Sequence, residues 1–244
     1  MGCASPRSID ADIALVTRTT LTAAAKVLTP ADYAVMRWKN DGGTTTEIAR
    51  WPNSEMVGGE LASPSFAWRV SIADIADSCE FSLFAGYDRS LVLVRGIRMI
   101  LHVTRQSAIE LVPYSICAFD GEASVRCTLP DGPVQDFNVM VARGRATAIT
   151  EILYPGIAVS RHAIRGSAIL LHCRDGAALV RMDDGRAFVL ESGQTLRIDA
   201  CSPSDAGFTI ASTGSSSPAI IAVHLTLLDA ALRAGRDPIE AGAP

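Results

Sequence analysis

Charge is scarce in this sequence and never gathers into a run of one sign. Asp, Glu, Lys and Arg make up 20% of the 244 residues, and the formal net charge is −4. Without a Lys/Arg-rich stretch the chain lacks the basic face by which proteins displace counterions from a duplex, so no nucleic acid partner is expected. Long apolar runs are missing as well. Ala219 to Leu228 is far shorter than the roughly 20 residues a helix needs to cross a bilayer, and Leu91 to Val103 is interrupted by Arg95 and Arg98, so no membrane partner is expected either. No apolar signal core flanked by basic residues opens the chain, and the expected location is cytoplasmic. The six cysteines (Cys3, Cys79, Cys117, Cys127, Cys173, Cys201) include no Cys-x-x-Cys pair. They read as free buried thiols in a reducing compartment rather than a disulfide framework. The four histidines (His102, His162, His172, His224) stand far apart. A clustered His-x-His with a nearby acid is therefore lacking, and no metal or other cofactor is expected. A Gly-x-Ser-x-Gly elbow and a phosphate loop are both absent.

What the chain does have is short apolar alternation. Hydrophobic residues make up 48%, enough for a real core. Phe66, Trp68, Val70 and Ile72 fall on one strand face, with Ala67, Arg69, Ser71 and Ala73 on the other. Leu91–Val94 and Ile97–Val103, joined through Arg95-Gly96, predict a hairpin. Further strands are predicted at 109–111, 115–119, 124–129 and 135–141. The second half repeats the style at 168–173, 177–182, 186–190, 195–198, 208–211 and 219–227, with Asp183-Asp184-Gly185 as a turn. No long amphipathic helix separates these runs, which excludes a parallel α/β sheet. The expected class is all-β with few helices, as two barrels or sandwiches in tandem. Residues 1–27 form an N-terminal extension in which 21–28 suits a short helix. A first half at 28–147 carries the pocket, a second half spans 148–230, and a tail covers 231–244.

The densest polar cluster is Arg37-Trp38-Lys39-Asn40-Asp41-Gly42-Gly43-Thr44-Thr45-Thr46-Glu47-Ile48. Arg69 and Ser71 alternate against apolar neighbours, as do Asp136 and Asn138 against Phe137, Val139 and Val141. Alternation alone leaves such a polar face either solvated or turned into a ligand-holding enclosure, the solvated case being the commoner. If the face is enclosed, Arg69 needs a carboxylate or an anionic ligand, and Asp136 or Glu47 could serve as its structural partner. Asp88 and Arg89 point to opposite sides of an extended segment and so do not pair with each other.

Taken together, Trp38-Lys39-Asn40-x-x-Gly43-x-Thr45-x-Glu47-Ile48, Phe66-x-Trp68-Arg69-Val70-Ser71-Ile72-Ala73, Glu80-Phe81-Ser82-x-Phe84-x-Gly86-x-Asp88-Arg89, Phe119-x-Gly121-Glu122 and Asp136-Phe137-Asn138-Val139-Met140 resemble the successive signatures of the HutD/Ves family. The chain departs from that pattern at Asp41 and Cys79, where Gly is usual, at Ala85, where Pro is frequent, and at Val141-Ala142, where Thr-Arg is usual and only Arg143 remains. The resemblance implies a metal-free bicupin of the RmlC-like jelly-roll type, linked to histidine utilisation through a regulatory role rather than a reaction. It implies a small anionic metabolite of the urocanate, formiminoglutamate or formylglutamate class. The ligand-binding residues it points to are Asn40, Thr45, Glu47, Arg69, Ser71, Asp136 and Asn138, with no catalytic residue assigned. A metal-free isomerase or hydrolase using Glu47 or Asp136 as general base, and an interaction scaffold with a vestigial pocket, are the alternatives. A homodimer is left open.

Overall fold

The computed structural model describes residues 23–38, 42–52, 66–163, 166–200, 204–213 and 218–228. The chain runs through β1 (Ala24–Leu28), a 3-10 turn at Pro30–Asp32, β2 (Ala34–Arg37), β3 (Gly43–Trp51), β4 (Trp68–Ile75), β5 (Cys79–Glu80) and β6 (Tyr87–Arg95). It continues with β7 (Met99–Val103), β8 (Ile109–Leu111), β9 (Ile116–Asp120), β10 (Val125–Thr128) and β11 (Val134–Ala142). After these come β12 (Ala146–Leu153), β13 (Ala158–Ala163), β14 (Ser167–Cys173), β15 (Ala177–Met182), β16 (Ala187–Glu191), β17 (Thr195–Asp199), β18 (Ser204–Ser212) and β19 (Ile220–Leu227). Among the described residues no helix is long and apolar enough to cross a membrane.

Among the described residues four antiparallel sheets stack in layers. A four-stranded sheet, β5-β10-β7-β8, faces a six-stranded sheet, β2-β3-β4-β11-β6-β9. A five-stranded sheet, β1-β17-β14-β19-β12, faces another four-stranded sheet, β13-β18-β15-β16. The two large sheets lie back to back. Each interlayer space holds its own core. Leu91, Leu93, Met99, Leu101 and Val125 fill the first, and Val70, Phe137, Val139, Leu170 and Val223 fill the central one. Leu171, Val180, Leu190, Leu196 and Phe208 fill the last. The architecture is mostly β, a set of cupin-like jelly-roll sheets, and among the described residues no sheet closes into a barrel.

This layering explains the alternation along β4 and β11. Their odd-parity and even-parity side chains are buried on opposite faces of the same sheet. Trp68, Val70, Phe137 and Val139 enter the central core, while Ser71, Asp136 and Asn138 turn into the first half.

Two expectations need correction. Residues 24–28 are neither an extension outside the core nor a helix. They form the edge strand β1 and pair with β17 from Ala24↔Asp199 to Leu28↔Thr195. Leu28 is buried in the central core, and Ala25 and Val27 pack against the last one. Secondly, β6 and β7 are not a hairpin. β6 pairs with β11 and β9, whereas β7 pairs with β10 and β8. The chain crosses at 96–98 from one sheet to the sheet facing it. Gly96 sits there at φ 102°, and a Cβ on it would lie 2.7 Å from the Val134 side chain.

Candidate functional site

The register of the six-stranded sheet arranges its inward side chains in rows. Met140 on β11 is flanked by Arg69 on β4 and Arg89 on β6. One step further along, Asn138 is flanked by Ser71 and Leu91, and Ser71 pairs in turn with Glu47 on β3. The next row is Thr45, Ala73, Asp136 and Leu93. A register shift between Glu47 and Ala49 brings Arg50 opposite Arg69. With strands about 4.8 Å apart, Arg69 and Arg89 leave the sheet roughly 10 Å from one another, astride Met140.

Over these rows lies a cavity of about 580 Å³. Thr45, Arg69, Ser71, Ala73, Arg89, Asp136 and Asn138 line its sheet side. Phe81, Ser82 and Phe84 close it from the segment between β5 and β6, and the exposed Arg37 and Glu80 stand at its edge. Gly121 helps hold that segment in place. Phe84 N–H donates to its carbonyl (2.7 Å), and a Cβ at Gly121 would meet the Phe84 carbonyl oxygen at 2.3 Å. Glu122 accepts from Gly86 N–H (2.7 Å) and from Arg143 Nη1 (2.8 Å). Arg143 also pairs with Asp88, so it is a strut outside the cavity.

The two cavity arginines are held by rings rather than by carboxylates. The Arg69 guanidinium carbon lies 5.0 Å from the Phe66 ring centre and 5.5 Å from Phe84, and its Nη2 reaches Met140 Sδ at 3.2 Å. The Arg89 carbon lies 5.0 Å from Phe119, 5.3 Å from Phe81 and 5.6 Å from Phe84, and its Nη1 donates to the Ser82 carbonyl at 3.4 Å. Neither forms an ion pair with a described carboxylate. Cation–π contacts contribute about 0.5–2 kcal/mol each, well short of what removing a guanidinium from water costs. Accordingly, burial lowers the pKa of both, that of Arg89 to about 10, which leaves it cationic at neutral pH. Burial pushes the Asp136 carboxyl up to about 7, with the nearby Arg89 charge opposing that rise. Four buried polar atoms of the cavity side chains find no hydrogen-bond partner: Arg69 Nε, Arg89 Nε, Asp136 Oδ1 and Asn138 Oδ1.

Of the seven residues named from sequence, Thr45, Arg69, Ser71, Asp136 and Asn138 line this cavity. Asn40 lies outside the described residues. Glu47 is not in the lining, but its charge acts on Arg69. Of the two partners the sequence offered Arg69, Glu47 is the one whose charge acts on it, while Asp136 acts on Arg89. Thr45 Oγ1 accepts the Trp38 indole N–H at 2.8 Å, which leaves its hydroxyl proton for another acceptor. Arg89 and the aromatic pair Phe81 and Phe84 were missed as cavity groups. The signal for Arg89 was its parity: it shares a strand face with Tyr87, Leu91 and Leu93, all buried. Among the described residues no group of three or more His, Cys, Asp or Glu side chains is placed to hold a metal ion.

A family model described as HutD matches residues 30–216. The chain belongs to the HutD family. It is 42% identical over 123 residues to an uncharacterized 21.2 kDa protein in the hutC 3' region of Pseudomonas putida, across 50% of this chain and 61% of that one. It is 35% identical over 112 residues to protein Ves of Citrobacter koseri, across 46% of this chain and 54% of that one. The aligned stretch thus spans less than two thirds of either relative. Among solved structures it is similar to HutD from Pseudomonas fluorescens SBW25 (formate condition), with a TM-score of 0.68 and 29% identity over 84% of this chain and 100% of that one. The cavity-lining residues, from Arg37 to Asn138, lie wholly within the HutD match.

Proposed function

We propose that this HutD-family chain binds a small metabolite bearing two carboxylate-like groups in the cavity of its first half, and reports that metabolite's level to the histidine-utilisation pathway without converting it. One observation carries the reading: two ring-held guanidinium groups with no ion-paired carboxylate among the described residues, each with a buried unpartnered Nε, facing a common space beside Asn138. A carboxylate meets a guanidinium through two parallel hydrogen bonds, and it supplies the countercharge that the rings do not. Formylglutamate and formiminoglutamate carry two carboxylates on a short chain and belong to that class; urocanate, with one carboxylate and an imidazole, engages one guanidinium by its carboxylate. The label of the Pseudomonas putida relative, which refers to hutC, is consistent with the pathway. In this reading the two sandwiches are tandem cupin units, of which only the first holds ligand, and the protein is cytoplasmic. Calorimetric titration with the three metabolites tests it. Micromolar binding of at least one, without product on prolonged incubation, is expected; absence of heat from all three overturns it.

A second reading rests on Asp136. A buried carboxyl titrating near 7 has the poise of a general base, which favours a metal-free isomerase or hydrolase. Turnover of any of the three compounds that is lost in Asp136→Asn would establish that reading instead.

A further inference from the structure

Cys79 and Cys127 are register partners across the two-residue ladder that joins β5 to β10. Directly opposed residues of an antiparallel pair point to the same side, with Cα atoms about 4.5–5.5 Å apart. Disulfides span Cα separations of roughly 4.4–6.8 Å, so the backbone already stands at bridging distance. Both side chains enter the core of the first half: Cys127 is fully buried and Cys79 half-buried against the same cluster. Immediately after Cys79 come Glu80, Phe81, Ser82 and Phe84, which wall the cavity and carry the rings beneath Arg69 and Arg89. Among the described residues, this short ladder is flanked by the Phe81 N–H to Val125 carbonyl bond (2.8 Å) and by the Leu129 N–H to Ser78 Oγ bond (2.9 Å), which tie the start of that wall to the four-stranded sheet.

We propose that Cys79 and Cys127 are a dithiol–disulfide pair, a redox modification site that clamps the cavity wall. The oxidant is a low-molecular-weight disulfide such as oxidised glutathione. The half-buried Cys79 attacks one of its sulfurs, forming a mixed disulfide and expelling one glutathione thiol. Cys127 then attacks the Cys79 sulfur, forming the internal S–S bond and expelling the second. Two cysteine thiols are oxidised, one external disulfide is reduced, and the two cysteine protons end on the departing thiols. Attack requires thiolate, and burial raises the pKa of both groups, that of Cys127 to about 12. Exchange is therefore slow at neutral pH and quickens as pH rises. The bond pins β5 to β10 and holds the wall closed over its ligand, which slows release. This consequence rests on the cavity being the carboxylate site; the pairing itself does not.

The full chain is equilibrated in glutathione redox buffers, quenched with acid and read by intact mass and peptide mapping. The expected result is loss of two hydrogen atoms and a single 79–127 linked peptide, absent from Cys79→Ala. No crosslink at any ratio, a persistent glutathione adduct on Cys79, or a bridge to another cysteine overturns the pair. Titration with formylglutamate then compares reduced and oxidised protein. Several-fold tighter binding with slower release when oxidised is expected, and equal affinity in the two forms overturns the clamp. If neither form binds formylglutamate, formiminoglutamate or urocanate, the carboxylate reading fails and the clamp fails with it, whereas the mass result still decides the disulfide.

Discussion

Arg89 shows most plainly what the cavity demands of a side chain. It is buried among three aromatic rings, keeps its charge, and lies near a carboxyl that burial drives toward neutrality. Its replacement by Met removes a charged donor from the ligand but leaves an apolar surround that a thioether fills well. Arg89→Met is therefore expected to weaken formylglutamate binding ten- to hundredfold, on the basis of about 1.5–3 kcal/mol for a charged hydrogen bond. Its melting temperature should not fall. Arg143→Met, which breaks a strut outside the cavity, should leave the affinity nearly unchanged; calorimetry on both variants checks the contrast. Asp136 makes a pH prediction. Its folded-state pKa, about 7, lies above the unfolded value of 3.8, so between them the folded chain holds a proton that the unfolded chain has lost. The stability this contributes is complete below the unfolded value and is lost as pH rises through about 7. At 1.36 kcal/mol per pKa unit the full change is at most about 4 kcal/mol. Urea titrations between pH 5 and 8 should show stability declining in the wild type and a flatter profile in Asp136→Asn. An identical slope in the two would place the titration on another group.

At the scale of elements, the sequence announced some strands and hid others, for reasons of partnership. β4 and β11 were legible because each buries both faces in chemically different surroundings, so that Trp68, Val70 and Phe137 alternate with Arg69, Ser71 and Asn138. The polar parity of those strands also gave most of the cavity's sheet side. Arg89 escaped although its parity with Tyr87, Leu91 and Leu93 marks an inward face, because it is the single buried charge on that face and no charged neighbour two residues away repeats it. The β6–β7 crossover looked like a hairpin because a Gly at positive φ serves either connection, and only the distant partners β10 and β11 distinguish them. β1 was illegible because Ala24-Ala25-Lys26 favours helix locally, and its strand state depends on β17, some 170 residues away. The join just after β1 is held by Tyr33, whose hydroxyl donates to the Gly193 carbonyl at 2.8 Å and lies 2.8 Å from Thr195 Oγ1. Tyr33→Phe leaves the Gly193 carbonyl without that donor, and a loss of about 1–2 kcal/mol is expected in urea unfolding. A change within experimental error would mean that water replaces the hydroxyl and that the β1 edge depends on its ladder alone.

The molecule as a whole is organised around the core shared by its two large sheets. Phe137, fully buried, brings its ring within 5.4 Å of His172 across that boundary, and Arg197 lies 5.3 Å from the Trp68 ring. Neither half can separate without exposing Val70, Val139, Leu170 and Val223. Folding should consequently be a single cooperative event despite the two-sandwich plan. Phe137→Ala, at about 3–5 kcal/mol for a buried aromatic, should lower the stability of both halves together. Tryptophan fluorescence reports the first half and its boundary with the second, since Trp38 packs in the first half while Trp68 lies in the central core and Trp51 packs against it, whereas far-UV circular dichroism reports every sheet. The two denaturation curves should superimpose in the wild type and in the variant. Ligand provides the stricter version of the same test. At a hundred times its Kd, a ligand bound only to the folded state stabilises by about 2.7 kcal/mol. If the shared core couples the halves, a metabolite held in the first sandwich must shift the dichroism curve by as much as the fluorescence curve. A shift in fluorescence alone would show that the second sandwich unfolds on its own, and that a signal from the cavity stops at the central core.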